Sequence, residues 1–331
     1  MLRKIVFVLL ISIVLFSCEE NTNKFIVDDS KLPEIQVNVK RYGKAIFEID
    51  TSKMVEGLKS IKPDYPLFLD ANLDDTSNVN QIKRFISDTA LIRIYNKTDE
   101  VFPDNKYLNE NLSSLFNYMK YHFPQISLPE YVYTYVSGLQ FESPVFIQDS
   151  IMIIGLDLYL GGDFNPYYSL GLPKYKISCM RPEILDIDVA KQFYNQYLMR
   201  RTIQNTLLDR MISAGKLMYY LDMVLPYSAD SLKICYTSDQ LEWCDDNEEN
   251  IWAFLIDNEL LFSTDYKSQS KLMVDGPFTT GFSKRSPARI GVWLGWQIVR
   301  DYMENNPQTD IKELLNISDS QTLLHDSGYK P

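Results

Sequence analysis

The segment Ile290-Gly-Val-Trp-Leu-Gly-Trp-Gln-Ile-Val299 sets the tightest limit on what this chain can fold into. Gln297 is its single hydrophilic residue, so a helix running through it is apolar nearly all round. Such a helix has no face suited to water and belongs inside a core. It is too short to cross a bilayer, which takes roughly 20 apolar residues. Ser286 is placed to cap the helix, with Pro287 at the first helical position, where its missing N–H costs nothing. Asn305-Asn306-Pro307 stops it.

A second long helical pattern covers Asp188 to about Val224, interrupted near Arg200 and Arg201. Leu207, Met211, Ala214, Met218, Leu221 and Leu225 form one stripe along it, and Pro226 ends it. Asp239 to Leu261 reads as a further helix, rich in acids on one side. Earlier helices are expected over Thr51–Lys59, Val79–Ile94 and Leu108–His122, the last halted by Pro124. Ile35 to Ile49 alternates (Ile35, Val37, Val39; Ala45, Phe47, Ile49) and reads as one or two strands. Tyr131–Val136 and Ser150–Leu156 are β-branched and aromatic runs of strand type. Strands first and helices later give an α+β class, mainly helical with a small mixed sheet. A single globular domain is expected over residues 34–331, strand-rich at 131–160 and helical over 188–331.

The N-terminus has a different character. Arg3 and Lys4 precede an apolar run from Ile5 to Phe16, broken only by Ser12. That is the length of a signal-peptide core. It ends in Leu15-Phe16-Ser17-Cys18, close to the pattern Leu, small, small, Cys at which a diacylglyceryl group is placed on the thiol before cleavage. Phe16 departs from the usual small residue. Residues 1–17 are thus read as a lipoprotein signal peptide and Cys18 as the lipidation site, tying the chain to a membrane of the cell envelope. Residues 18–33 are polar and without period, which reads as a tether.

A hydrophobic content of 45% with 13% aromatics belongs to a folded chain. The formal charge of −11 argues against nucleic acid, whose phosphates need clustered cations. An exported chain permits disulfides, and Cys235–Cys244 is the pair closest in sequence, with Cys179 left over; three buried thiols are the alternative. The only histidines are His122, expected to cap the end of its helix, and His325, expected on the surface. No His-Glu-x-x-His face for zinc occurs, and no Gly-x-Ser-x-Gly elbow. Gly155 to Asp163 lacks the spacing of a dinucleotide or calcium loop, so Asp157 and Asp163 are assigned to turn chemistry. No catalytic residue, metal or cofactor is assigned.

From Leu207 onward the chain resembles a known family. Leu208-Asp-Arg-Met-Ile-Ser-Ala-Gly-Lys216, Tyr236-Thr-Ser-Asp-Gln-Leu-Glu-Trp-Cys244, Asn250-Ile-Trp252 and Gly276-Pro-Phe278 are similar to the gliding-motility lipoprotein B (GldB) family of Bacteroidota. So are Ile154-Gly-Leu-Asp-Leu-Tyr-Leu-Gly161, the block Ser286 to Met303, and Ser327-Gly-Tyr-Lys-Pro331. The resemblance implies a membrane-anchored protein that serves gliding or type IX secretion, with envelope proteins as partners. Relatives in non-gliding species mean that motility of the organism does not follow. Glu19-Glu20 is a short form of the acidic signal that sends such lipoproteins to the outer membrane.

More remotely, the family looks like zinc peptidases in which a His-Glu-x-x-His helix precedes one containing Glu-Gly. Here Ala214-Gly215 stands at the second motif, and the first helix holds no histidine. The resemblance therefore implies a zincin-like fold without its metal: a non-catalytic interaction component, with a hydrolase or a peptide-binding lipoprotein as alternatives. In that layout Ala214 and Gly215 face the Asp188–Arg201 helix across a small gap, and Lys284, Arg285 and Arg289 form a basic rim. Ordinary helix packing at Ala214-Gly215 and solvated charges at the rim are the plain alternatives.

Overall fold

The structure, a computed structural model, describes residues 23–200 and 205–331; the expected signal peptide and Cys18 lie outside them. About 56% of the chain is helical, around one four-stranded sheet, so the α+β, mainly helical expectation holds.

The sheet runs β1 (Val39–Arg41), β2 (Tyr131–Tyr135), β3 (Val145–Gln148) and β4 (Ile151–Gly155), in the order β1-β2-β4-β3. β1, β2 and β4 are parallel, with Val39 opposite Val132 and Val132 opposite Met152. β3 returns antiparallel to β4 through the turn at Asp149 and Ser150, where Asp149 takes a left-handed φ of 51°. Asp tolerates that conformation better than most side chains. Residues 145–148 carried no strand expectation, because four residues at an edge present too short an alternation.

The N-terminal half contributes α1 (Tyr42–Phe47), α2 (Met54–Ile61), α3 (Thr76–Ser87), α4 (Thr89–Val101) and α5 (Lys106–His122). Two expectations fail here. Residues 45–49 are not strand: α1 begins directly after β1, and Gly43 sits close against the backbone of Tyr135 and Val136. The single helix expected over 79–94 is two, because the Asp88 carboxylate accepts from Ala90 N–H and Leu91 N–H and starts α4.

The supposed tether is also seated on the domain from Asn23 onward. Asn23 Nδ2 donates to Pro226 O (2.7 Å), and Phe25 packs edge-to-face on Tyr219. Backbone N–H groups of Ile35, Val37 and Val39 then donate to Asn117, Ser113 and Asn109 of α5. Two residues of extended chain advance about 6.6 Å and four residues of helix about 6 Å, so the two ladders stay in step.

The C-terminal half holds two single-turn helices, α6 (Pro166–Ser169) and α7 (Lys174–Ile177), followed by α8 (Leu185–Phe193) and α9 (Leu207–Val224). Next come α10 (Asp230–Ile234), α11 (Ser238–Asp246), α12 (Glu248–Asp257) and α13 (Tyr266–Met273). α14 (Ile290–Asn305), α15 (Ile311–Asn316) and α16 (Ser320–Ser327) complete the chain. α14 is the buried helix expected, with Trp293 and Trp296 at most 1% exposed. Its closest partner is α9. A methyl on Gly215 would overlap the carbonyl oxygen of Gly295, and one on Gly295 that of Met211, so the two backbones nearly touch. One core runs from Val37 to Tyr329, and a smaller one lies among α1, α2 and α3.

The start of α14 differs from expectation. Ser286 Oγ donates to Ser283 O, and Pro287 O accepts from Thr279, so both belong to the preceding loop. The helix opens three residues later at Ile290, with Arg289 as its N-cap in a left-handed conformation (φ 60°).

Candidate functional site

A cavity of about 530 Å³ opens between α8, the segment carrying α7, the α10–α11 junction and the loop leading into α14. Its walls are braced in two ways. Cys179, just past α7, is disulfide-bonded to Cys235 at the end of α10, with Cα atoms 6.0 Å apart. This replaces the Cys235–Cys244 pair and the three-thiol alternative. Cys244 points from α11 into the core as a free thiol, and burial pushes its pKa up. Cys235 instead takes a left-handed conformation (φ 56°) that turns its side chain off the end of α10 toward Cys179.

Arg289 is the second brace. Its Nε lies 2.6 Å from Asp275 Oδ1, and its Nη2 donates to Ile234 O. The guanidinium also sits 5.9 Å from the centre of the Tyr236 ring, whose hydroxyl donates to Ala288 O. The left-handed backbone at Arg289 is a conformation that a long side chain adopts at a cost. These three contacts hold it there.

α8 brings Asp188 and Lys191 to the cavity, one turn apart on a helix that buries Leu185, Ile187, Val189 and Ala190. Both lie deep among protein atoms yet keep part of their surface open to the cavity. Tyr159 donates its hydroxyl to Asp188 Oδ2 (3.1 Å). Burial pushes the Asp188 carboxyl up, against the pull of Lys191 and the hydroxyl. Burial pushes Lys191 down; Asp188 opposes this and Arg289 adds to it. Lys191 has no hydrogen-bond or ion-pair partner among the described residues.

The residues singled out from sequence do not come together. Arg289 lines the cavity, whereas Lys284 and Arg285 are exposed residues off its walls. Ala214 and Gly215 are not on its walls either, and Gly215 faces Gly295 of α14 rather than α8. At Gly215 the lack of a side chain serves the close crossing with α14. The expectation missed Asp188, Lys191, Tyr159 and Asp275. The signal available for the first two was an acid and a base three residues apart on a helix that otherwise buries Leu185, Ile187, Val189 and Ala190.

The remaining polar clusters have structural roles. Asp222 accepts from Lys233 Nζ (2.8 Å), from Trp296 Nε1 (2.8 Å), and from Arg300 Nε and Nη2 (2.9 Å each), tying α9, α10 and α14 together. Asp157 accepts from Ser137 N–H, the Ser137 hydroxyl and Leu139 N–H, so it holds a loop 18–20 residues earlier in the chain rather than its own turn. His122 is buried beside Met223 rather than capping its own helix, and its Nε2 has no partner. His325 is exposed, as expected. Among the described residues, no three His, Cys, Asp or Glu side chains are grouped to hold a metal ion, and no helix is long and apolar enough to cross a membrane.

The family described as gliding motility protein GldB matches residues 22–331 of the chain. No curated protein and no solved structure matches it.

Proposed function

The chain belongs to the GldB family of gliding-motility proteins, and from that premise we propose that it is a lipid-anchored envelope component that holds a protein partner in the α8–α14 cavity without doing chemistry on it. Cys18 carries the lipid, residues 1–17 are removed on export, and the outer membrane is the site. The partner belongs to the machinery of gliding or type IX secretion.

The observation that carries this reading is how the cavity's polar groups are arranged. Arg289 and Asp275 neutralise each other at 2.6 Å, and Asp188 accepts from Tyr159. Among the described residues no histidine lines the walls, and each of the two carboxylates there is already engaged, by the Tyr159 hydroxyl or by the Arg289 guanidinium. A cavity with braced walls and a mixed lining suits recognition of a segment more than turnover of a substrate.

The test is cross-linking and pull-down from native membranes with the wild-type chain and with Gln240→Trp, which fills the cavity from α11. A specific envelope protein captured by the first and lost with the second is the expected result. Hydrolysis of a peptide library by the purified chain, or one tightly held equivalent of zinc by mass spectrometry, would overturn it.

A further inference from the structure

We propose that the cavity beneath the Cys179–Cys235 bridge receives the free carboxylate end of a peptide whose last residues are apolar. This names the partner chemistry of the cavity and so rests on its reading as a recognition site.

Lys191 is the centre of the inference. Its ammonium is largely surrounded by protein, keeps part of its surface open to the cavity, and has no acceptor among the described residues, which is costly for a charge. The two carboxylates nearest to it are already engaged, Asp188 with Tyr159 and Asp275 with Arg289. An anion entering the cavity would give Lys191 the partner that the fold withholds. The depressed pKa of its amine has the same origin, since burial is the main cause.

Charge points the same way. Lys174, Lys176, Lys191 and Arg289 line the walls against only Asp188 and Asp275, in a chain whose formal charge is −11. The cavity therefore attracts a single negative group, while the protein as a whole repels a polyanion. A volume of about 530 Å³ accommodates a few residues of chain and no folded partner. Leu172, Met180 and Ile184 offer apolar surface, while Thr237 and Gln240, which cap α11 through their oxygens, still have the Thr237 hydroxyl proton and Gln240 Nε2 to donate to peptide carbonyls. A fatty acid would bring its carboxylate but has no carbonyl along its chain to accept from those two donors, which favours a peptide. The disulfide and the Arg289 contacts hold the walls in place before binding, which lowers the ordering cost.

The experiment uses the full-length chain purified in detergent and a fluorescent pentapeptide ending Ala-Leu-Phe, as the free acid and as the amide, read by anisotropy. The acid should bind at least about tenfold more tightly than the amide, as expected for a charge-assisted hydrogen bond to a buried cation. Lys191→Met should abolish that preference while leaving the amide's affinity unchanged and the melting temperature no lower than that of the wild-type chain. If this variant does not fold, the exposed rim pair Lys174→Ala with Lys176→Ala carries the test, and an unchanged preference in it overturns the proposal. Equal binding of acid and amide by the wild-type chain overturns it too, as does binding of dodecanoate without binding of either peptide. If neither peptide binds but the Gln240→Trp pull-down still loses its partner, the recognition reading stands and the carboxylate inference alone falls.

Discussion

Burial holds the imidazole of His122 neutral, with its pKa pushed down to about 4, and holds the carboxyl of Asp186 protonated, with its pKa pushed up to about 7. Each has a ring or carboxyl atom with no partner; the hydrogen bond of His122 to the Met223 backbone offsets its desolvation only in part. The two act on stability in opposite directions. Between about pH 4 and 6.5 the unfolded chain binds a proton on His122 that the folded chain refuses, so stability is lost as pH falls through that window. Between 3.8 and about 7 the folded chain keeps a proton on Asp186 that the unfolded chain has released, so stability is lost as pH rises. In urea unfolding stepped through this range, His122→Leu should leave a protein that weakens with rising pH. Asp186→Asn should leave one that strengthens with rising pH and is more stable than wild type at pH 8, by a few kcal/mol at most given about 1.4 kcal/mol per pKa unit. Parallel pH profiles for all three proteins would contradict the assignment. Neither environment was legible in the sequence. A histidine at the last turn of a helix has the same sequence context whether it caps carbonyls or, as here, lies beside Met223 of α9.

The crossing of α9 and α14 depends on the absence of side chains at Gly215 and Gly295. A single methyl at Gly215 would meet backbone carbonyl rather than the movable end of a side chain, so the helices themselves must separate. Alanine's helix preference, worth about 1 kcal/mol over glycine, is outweighed by overpacking of about 1–3 kcal/mol and by lost contacts around Trp293 and Trp296. Gly215→Ala is therefore expected to lower the denaturation midpoint, with Gly295→Ala at least as harmful; a midpoint at or above wild type would show that the crossing has slack. Elements of this length were readable beforehand. α5, the helix through Trp293 and Trp296, and strands β2 and β4 carry enough residues for their period to be distinctive. α1 was not, because in six residues Ala45, Phe47 and Ile49 satisfy a strand alternation while Gly43 and Ile46 satisfy a helical face. The start of α14 was hidden for another reason: Ser286 and Pro287 form a good helix-start signal, but their hydrogen bonds go to Ser283 and Thr279. The cavity was partly legible through Arg289. Its other members come from segments far apart in sequence, and no local pattern brings Tyr159, Lys191, Cys235 and Asp275 together.

At the scale of the whole molecule, the docked N-terminal segment bears on the proposed lipid anchor, because it would set how the domain meets the membrane. Five residue steps separate Cys18 from Asn23, and a fully extended chain covers about 3.6 Å per residue, so under the proposed lipidation the anchor point would lie within about 18 Å of Asn23. Asn23 is bonded to Pro226 O, Phe25 packs on Tyr219, and Val27 N–H donates to Tyr118. The anchor therefore leads directly onto the end of the domain that bears Tyr227, a residue 65% exposed. A half-polar ring is suited to the headgroup layer. The chain as a whole, formally −11, is repelled by an anionic leaflet, and the short covalent reach of the proposed anchor would work against that repulsion. With the full-length protein in vesicles, a fluorophore on Tyr227→Cys should be quenched by headgroup-attached quencher. A long Gly/Ser insertion between Cys18 and Asn23 should weaken the quenching, and Cys18→Ala should abolish both it and acyl labelling. If the insertion leaves the quenching unchanged, the position of this face does not depend on the tether, and a contact elsewhere on the domain must hold it at the bilayer.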